Sequence, residues 1–301
     1  MQQVLTLCAA PGALAASHLA TARDALSVPV GAPAWLAPDE AADIPFEAED
    51  PAAVGERVRA ALAGDPVDVN AGPAEGRRKR LLIADMDSTM IIGESLDDLA
   101  EHAGIRDRIA AITARAMRGE LDFEGALRER VAMLKGLPAA TIDAVVDGLR
   151  LTPGAEELVA TMKAAGAYCA LVSGGFTPMT GAIRARLGFD EDRANTLHVA
   201  DGELTGTVGE PILGRDAKLA TLRELCAAKG LSLAATVTVG DGANDLAMLE
   251  AAGMGVAFRA KPAVRDAAGF RIDHADLRGL LYLQGFSARE IAAGGDRLQS
   301  I

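Results

Sequence analysis

The sequence predicts an α/β protein: a parallel sheet flanked by helices, with an inserted helical cap and a small N-terminal α+β module of ferredoxin-like order. Three observations predict it. Short apolar runs, Leu81–Ala84, Tyr168–Val172, Thr236–Val239 and Gly255–Ala257, alternate with helical patterns, as the strands of a parallel sheet do when helices cover both faces. Residues 94–150, between the first two runs, are helical in pattern and longer than one crossover helix requires. The first 70 residues read βαββαβ among themselves.

Within that N-terminal module, Val4–Cys8 reads as a strand and His18–Leu26 as a helix. Val30–Leu36 and Ile44–Phe46 read as short strands, Ala52–Ala63 as a helix and Val67–Asn70 as the last strand. This closes a module over 1–70, which weakly resembles the amino-acid-sensing ACT domain family. It lacks a glycine signature for effector binding. A structural or dimerising role, which would make the chain a homodimer, therefore stands beside effector sensing.

Residues 71–80 combine Gly and Pro with the basic run Arg77-Arg78-Lys79-Arg80 and read as a linker. A solvated junction explains that run better than a binding patch does. In 94–150, Leu96, Leu99 and Ala103 mark one apolar helical face, and Leu127, Val131 and Leu134 another. Gly119-Glu120-Leu121-Asp122 interrupts the pattern, and the segment reads as a cap inserted over the strand tips. Asp201-Gly202, flanked by Leu197, Val199 and Leu204, signals a hairpin turn. The core is thus expected over 81–93 and 151–285, with 286–301, which contain Gly294-Gly295, as a tail of no assigned role.

Composition sets the outer bounds. Half of the 301 residues are hydrophobic, enough for a sizeable core and two domains. Lys and Arg number 30 against 42 Asp and Glu, a formal net charge of -12. That argues against nucleic acid as a partner, since such binding rests on phosphate neutralisation, but not against a small anionic substrate. Cys8, Cys169 and Cys226 are too few and too far apart for a disulfide framework or a zinc motif. Cys169 lies inside an apolar run and suits a small core residue. No basic n-region opens the chain, and no apolar run reaches the ~18 residues of a membrane span. A reduced, cytoplasmic setting without membrane partners is the expectation.

Four signals stand at or just after strand ends. The first is Asp85-Met86-Asp87-Ser88-Thr89, where an apolar run ends in two carboxylates one residue apart. Acids so placed repel unless a cation or proton intervenes, although an Asp-x-Asp alone also suits a surface turn. The second is Ser173-Gly174-Gly175, where a hydroxyl and glycine amides can approach an anion closely at a helix start. A tight strand-to-helix turn explains it equally well. The third is Lys218, at the start of a helical run, where a lone lysine is ordinarily solvated. The fourth is Gly240-Asp241-Gly242-Ala243-Asn244-Asp245, whose polar side chains directly after a buried strand are hard to explain as packing. Together they supply one chemistry. Asp85 and Asp241 share a hard cation, for which Mg²⁺ suits oxygen ligands and a phosphate. Ser173, backbone N–H groups and Lys218 hold phosphate oxygens, and the other carboxylate is free as nucleophile or proton donor.

The constellation resembles the haloacid dehalogenase superfamily of aspartate-nucleophile phosphotransferases. That superfamily's recurring order is Asp-x-Asp-x-Thr, then Ser or Thr, then Lys, then an acidic Gly-Asp motif, and residues 81–280 or so carry all four parts in order. Within the superfamily the chain resembles the phosphoserine phosphatase family. The supporting stretches are Asp85–Met90 with Glu94, Leu127-Arg128-Glu129-Arg130-Val131 with Leu134-Lys135-Gly136, Val172–Phe176 and Val239–Asp245. Asp85-Met86-Asp87 replaces the common Asp-Phe-Asp.

The resemblance implies a Rossmannoid core and hydrolysis of O-phospho-L-serine through an aspartyl-phosphate on Asp85, with Asp87 as general acid and base. It implies Mg²⁺ held by the Asp85 carboxylate, the Asp87 carbonyl and Asp241. Asp245 and Asn244 would support that shell and the phosphate, and Ser173, Gly174 and Lys218 would stabilise charge on the transferring group. Glu94 and Arg130 match the positions that take the substrate's ammonium and carboxylate; Met117 and Phe123 would line the cap's apolar wall. By the residues alone, Glu94 and Arg130 also suit an ordinary helix surface, and Met117 and Phe123 suit the core. Two rivals remain at this level: a phosphatase or phosphotransferase for another small phosphate such as phosphohomoserine, one methylene being worth only roughly 1–3 kcal/mol, and a regulatory amino-acid-binding protein.

Overall fold

The computed structural model describes residues 2–117 and 120–292. It opens with β1 (Gln2–Ala9), α1 (Ala16–Leu26), β2 (Ala34–Ala37), β3 (Ala41–Glu47), α2 (Pro51–Ala61) and β4 (Val67–Pro73). These strands form one antiparallel sheet in the order β2-β3-β1-β4, as a ferredoxin-like βαββαβ chain does. Alternation along the strands gives the sheet two different faces. Leu5, Leu7, Ile44 and Val69 pack against Leu19, Leu26, Val54 and Val58 of the two helices. The opposite face carries Thr6, Asp43, Asp68 and Asn70, all buried. The first half of the expected strand Val30–Leu36 departs from the reading. Val30 makes a single bridge to Phe46, and regular pairing begins at Ala34, because Pro29 and Pro33 cannot donate to a ladder. The last strand runs three residues into the expected linker, to Pro73.

The second sheet begins with β5 (Leu81–Ala84), every residue of which is buried. After it come the cap helices α3 (Ser95–His102), α4 (Arg106–Met117), α5 (Phe123–Ala132) and α6 (Ala140–Gly148). The chain then re-enters the core through α7 (Ala155–Ala164), β6 (Tyr168–Phe176), α8 (Thr177–Leu187) and β7 (Glu191–Asn195). A hairpin follows, β8 (Leu197–Ala200) and β9 (Glu203–Val208), turning at Asp201 and Gly202 with φ of 52° and 81°; two positive φ values are what a two-residue hairpin turn of matching twist requires. The chain continues through α9 (Arg215–Lys229), β10 (Thr236–Gly240), α10 (Leu246–Ala251), β11 (Met254–Phe258), α11 (Pro262–Ala267), β12 (Phe270–Ile272) and α12 (Gly279–Leu283).

The sheet order is β12-β11-β10-β5-β6-β7, and every pair in it is parallel. The chain leaves β5 to one side for β6 and returns to the other side for β10. That reversal opens a crevice off the carboxyl end of β5, the place where open α/β sheets bind ligands. Ser173-Gly174-Gly175 differs from the reading: the three residues stay within the extended β6, and the helix starts at Thr177. The β6–β7 register breaks between Val172 and Phe176, so these glycines bulge rather than cap a helix. The stretch at 286–292 also differs from a tail. Phe286 and Ile291 are buried, and residues 288–292 are helical, because two apolar side chains there find the core.

The polar face of the N-terminal sheet lies against the second sheet's edge. Asn70 donates through Nδ2 to the Arg271 carbonyl and accepts through Oδ1 from the Arg271 amide, both at 2.8 Å. Asp68 accepts from the amides of Asp273 (2.7 Å), His274 (3.2 and 3.1 Å) and Ala275 (2.8 Å). All three cysteines are buried and free. Among the described residues no helix is long and apolar enough to cross a membrane.

Candidate active site

The three central strands β10, β5 and β6 end side by side, and each hands the chain to a polar segment at its carboxyl end. Leu81, Leu82, Ile83, Val237, Val239 and Val172 are completely buried beneath them. At roughly 1.5–3 kcal/mol for each large apolar side chain buried, these strands are a rigid floor. Asp85 leaves β5 with Oδ1 accepting from the Met86 amide at 2.8 Å. The turn Met86–Met90 carries Ser88 at φ 54°. Asp87 Oδ1 accepts from the Ser95 amide at 2.7 Å, and Ser173 Oγ donates to its Oδ2 at 3.4 Å. Gly175 donates to Ser173 Oγ at 2.9 Å. A Cβ at Gly175 would stand 2.8 Å from Asp87 Oδ2 and 3.1 Å from Ser173 Oγ, so only glycine allows the approach.

Lys218 sits in the first turn of α9, 1% exposed. Its ammonium lies 2.8 Å from Asp85 Oδ1 and 2.5 Å from Asp245 Oδ1. Burial works to discharge it, but Asp85 and Asp245 more than offset that and hold the lysine above its ordinary pKa. Asp245 also accepts from the Gly242 amide at 3.0 Å, closing the loop that presents Asp241. Ligand oxygens of Asp85, Asp241 and Asp245 lie within 4.8 Å of one another. Burial, then the Asp85 charge, push Asp241 and Asp245 upward. A hard cation would relieve that repulsion, and carboxylate oxygens are the donors such an ion takes.

The cap supplies the other wall. Asp85, Asp87, Ser173, Gly174, Asp241 and Asn244 share a cavity of about 460 Å³ with Glu94, Phe123 and Arg130. Glu94 accepts from Ser88 Oγ at 2.7 Å. Its side chain is exposed and opens onto the cavity. Burial pushes its carboxyl up against the Ser88 bond, and the Asp241 and Asp85 charges add to the rise. Burial also raises Asp87, assisted by Glu94, to about 7. Arg130 donates through Nε to the Ala126 carbonyl at 3.2 Å, and burial lowers its pKa against the pull of Asp97 and Glu94. The Phe123 ring rests on Gly174 and Gly214, where a Cβ would meet it at 3.1 and 3.4 Å. Met117 closes α4, and its side chain lies outside the described residues.

The structure thus gathers every described site residue that the sequence singled out, with Lys218 and Asp245 below the floor of the cavity rather than in its wall. Three further polar side chains line it: Asp97 and Thr113 from the cap, and Lys261, three residues past β11, its ammonium 4.0 Å from Asp241 Oδ2. Lys261 follows a strand end, as Asp85, Ser173 and Asp241 do, so the same rule points to it. Nothing in the local sequence marks Asp97 or Thr113. A second cavity, about 50 Å³, lies between the N-terminal sheet and the core and is lined by Thr6, Asn70 and Arg77 among others.

These features define a capped α/β fold with an acidic site at its strand ends, and comparison with known proteins gives its family. The model of the haloacid dehalogenase-like hydrolase family matches residues 82–250, and the chain belongs to that family. Among its relatives, the phosphoserine phosphatase of Streptomyces coelicolor is 48% identical over 234 residues, 78% of this chain and 57% of that protein. The phosphoserine phosphatase of Mycobacterium tuberculosis is 46% identical over 217 residues, 72% of this chain and 53% of that protein. The chain therefore spans a little over half the length of these two relatives. A crystal structure of a haloacid dehalogenase-family hydrolase from Salmonella enterica serovar Typhi superposes with a TM-score of 0.85 at 31% identity, covering 94% of this chain and 98% of that one.

Proposed function

We propose that the chain is a Mg²⁺-dependent phosphatase that hydrolyses O-phospho-L-serine to L-serine and phosphate. One observation carries the reading: a nucleophile-and-phosphate apparatus at the strand ends shares a single cavity with the acid Glu94 and the base Arg130 from the cap. Phosphoserine has one ammonium and one carboxylate beyond its phosphate. Arg130 suits the carboxylate through paired hydrogen bonds, and Glu94 the ammonium.

The Asp85 and Asp241 carboxylates, with the Asp87 carbonyl, would hold the cation, and Asp245 would support them from behind. Bound there, Mg²⁺ would neutralise charge on the phosphoryl oxygens. Asp85 attacks phosphorus in line, and the bond from phosphorus to the serine oxygen breaks. A carboxyl held near neutrality in its pKa, as Asp87 is, still carries the proton that this leaving oxygen needs. Asp87 then takes a proton from water as the water oxygen joins phosphorus and the bond to Asp85 breaks. Ser173, the Gly174 amide and Lys218 stabilise charge on the transferring group throughout. Asn244 lines the phosphate end, and the cap closes to exclude water.

In this reading the chain divides as its sequence suggests: an ACT-like module at the N-terminus, a core over 81–93 and 151–285, and the cap over 94–150. Purified protein with Mg²⁺ should hydrolyse L-phosphoserine far better than p-nitrophenyl phosphate. Equal use of both would defeat the substrate assignment. Asp85→Asn should fold and be inactive; turnover in that variant would remove the nucleophile.

A further inference from the structure

We infer that Asn195 is a positioning residue for the phosphoryl site, an inference that rests on the phosphatase reading above. Asn195 ends β7 and is 2% exposed. Its side-chain amide joins two segments that are remote in sequence. Nδ2 donates to the Gly174 carbonyl at 2.9 Å and, at greater length, to the Leu213 carbonyl at 3.4 Å. Oδ1 accepts from the Leu213 amide at 2.7 Å. Gly174 belongs to the phosphate-facing bulge of β6. Leu213 is one residue before Gly214, the N-cap of α9, the helix whose first turn carries Lys218.

The amide stands where the backbone ladder fails. The β6–β7 register breaks between Val172 and Phe176, so Gly174 has no regular strand partner, and Asn195 supplies one. The consequence reaches the site through peptide geometry. In a trans peptide the carbonyl and the following N–H point in opposite directions. Holding the Gly174 carbonyl outward, toward Asn195, turns the Gly175 N–H inward, where it donates to Ser173 Oγ at 2.9 Å. That hydroxyl is the one that reaches Asp87 at 3.4 Å. The same amide fixes the seat of the cap, because the Phe123 ring rests on both Gly174 and Gly214. Only an amide fits: it offers a donor and an acceptor in one plane. A carboxylate would face the Gly174 carbonyl with a second acceptor.

Asn195→Asp tests this, because it keeps the acceptor for Leu213 and loses the donor to Gly174. Asn70→Asp is the control, since Asn70 also spans a backbone donor and acceptor, at Arg271, but far from the cavity. With Mg²⁺ and L-phosphoserine, kcat of Asn195→Asp should fall roughly 10- to 100-fold while KM moves less than about threefold. Orthovanadate inhibition should weaken by a similar factor, and the loss should exceed that of Asn70→Asp at an equal drop in Tm. A kcat within about twofold of the parent, or a loss no greater than the control's, would overturn the inference. Should Asn195→Asp not fold, Asn195→Ser removes the Gly174 bond without adding charge and carries the same comparison. If the parent fails to hydrolyse L-phosphoserine, the substrate reading falls alone. The same ratios are then read with p-nitrophenyl phosphate, which needs the phosphoryl site but neither Glu94 nor Arg130.

Discussion

The Nζ of Lys218 lies 2.8 Å from Oδ1 of Asp85, and neither side chain is more than 7% exposed. A lysine so placed balances acidic charge: it is the one buried cation beside three acids within the described residues. Lys218→Met leaves those acids to repel one another, and losing one partner of a buried pair costs about 3–5 kcal/mol. Turnover should fall by roughly 10²–10³-fold. Metal-free Tm should also fall, and Mg²⁺ should restore more of it than in the parent. Thermal melts with and without Mg²⁺ decide this; an unchanged Mg²⁺ response would mean that Lys218 does not balance these acids.

Glu94 faces the cavity and takes part in none of the proposed bond changes at phosphorus. Glu94→Gln removes the charge and keeps the shape. Turnover of L-phosphoserine should drop about tenfold or more, the worth of a charge-assisted bond. Turnover of a phosphate ester without an amine should hold or improve. Parallel losses on both substrates would place Glu94 in the chemistry rather than in recognition.

Asp87 gives the metal-free protein a pH signature. Its folded pKa is raised to about 7, above the ordinary Asp value of about 3.9 that an unfolded chain would show. Between those values the folded state binds more protons than the unfolded, so this group's contribution to stability falls as pH rises. The penalty is fully present above pH 7 and is relieved as pH falls toward 4, with a slope of at most about 1.4 kcal/mol per pH unit. Urea melts in the presence of a chelator should therefore show stability decreasing from about pH 5.5 to 7, roughly the upper half of that window. Asp87→Asn should flatten the slope. An equally steep slope in the variant would assign the effect to other groups.

Asp68 ties the N-terminal sheet to the core through the amides of Asp273, His274 and Ala275. Asp68→Ala leaves buried N–H groups without an acceptor, at about 1–3 kcal/mol for each group that water cannot reach. The variant should lose several degrees of Tm or more, whereas Asp68→Asn, which keeps one acceptor, should lose less. Equal Tm values for parent and Asp68→Ala would show that the two sheets are not held by this contact.

Legibility in the sequence followed physical range. The strand ends at Asp85, Ser173 and Asp241 could be read because a fully buried apolar run that stops in polar residues is a local signal. The hairpin at Asp201-Gly202 could be read because its two φ values suit few other residues. Asn195 carried no such signal, since its partners Gly174 and Leu213 lie 21 and 18 residues away. Asp97 and Thr113 look like any polar residue on a cap helix. The expected helix start at Ser173 failed for a related reason: pairing with β7 resumes at Phe176, opposite Asn195, and carries the strand past the glycines.

By itself the chain determined the alternation of strands and helices, the positions at which strands end in reactive side chains, and the length of the insertion between β5 and β6. Periodicity and the repulsion of neighbouring acids are encoded in adjacent residues, so those features survive in one dimension. Tertiary structure alone decided that Lys218 is buried between Asp85 and Asp245, that Glu94 and Arg130 face the same cavity as Asp85, and that an amide on an outer strand holds the Gly174 bulge. Each of these is a contact across tens of residues, made when parallel strands align, and no spacing along the chain determines it.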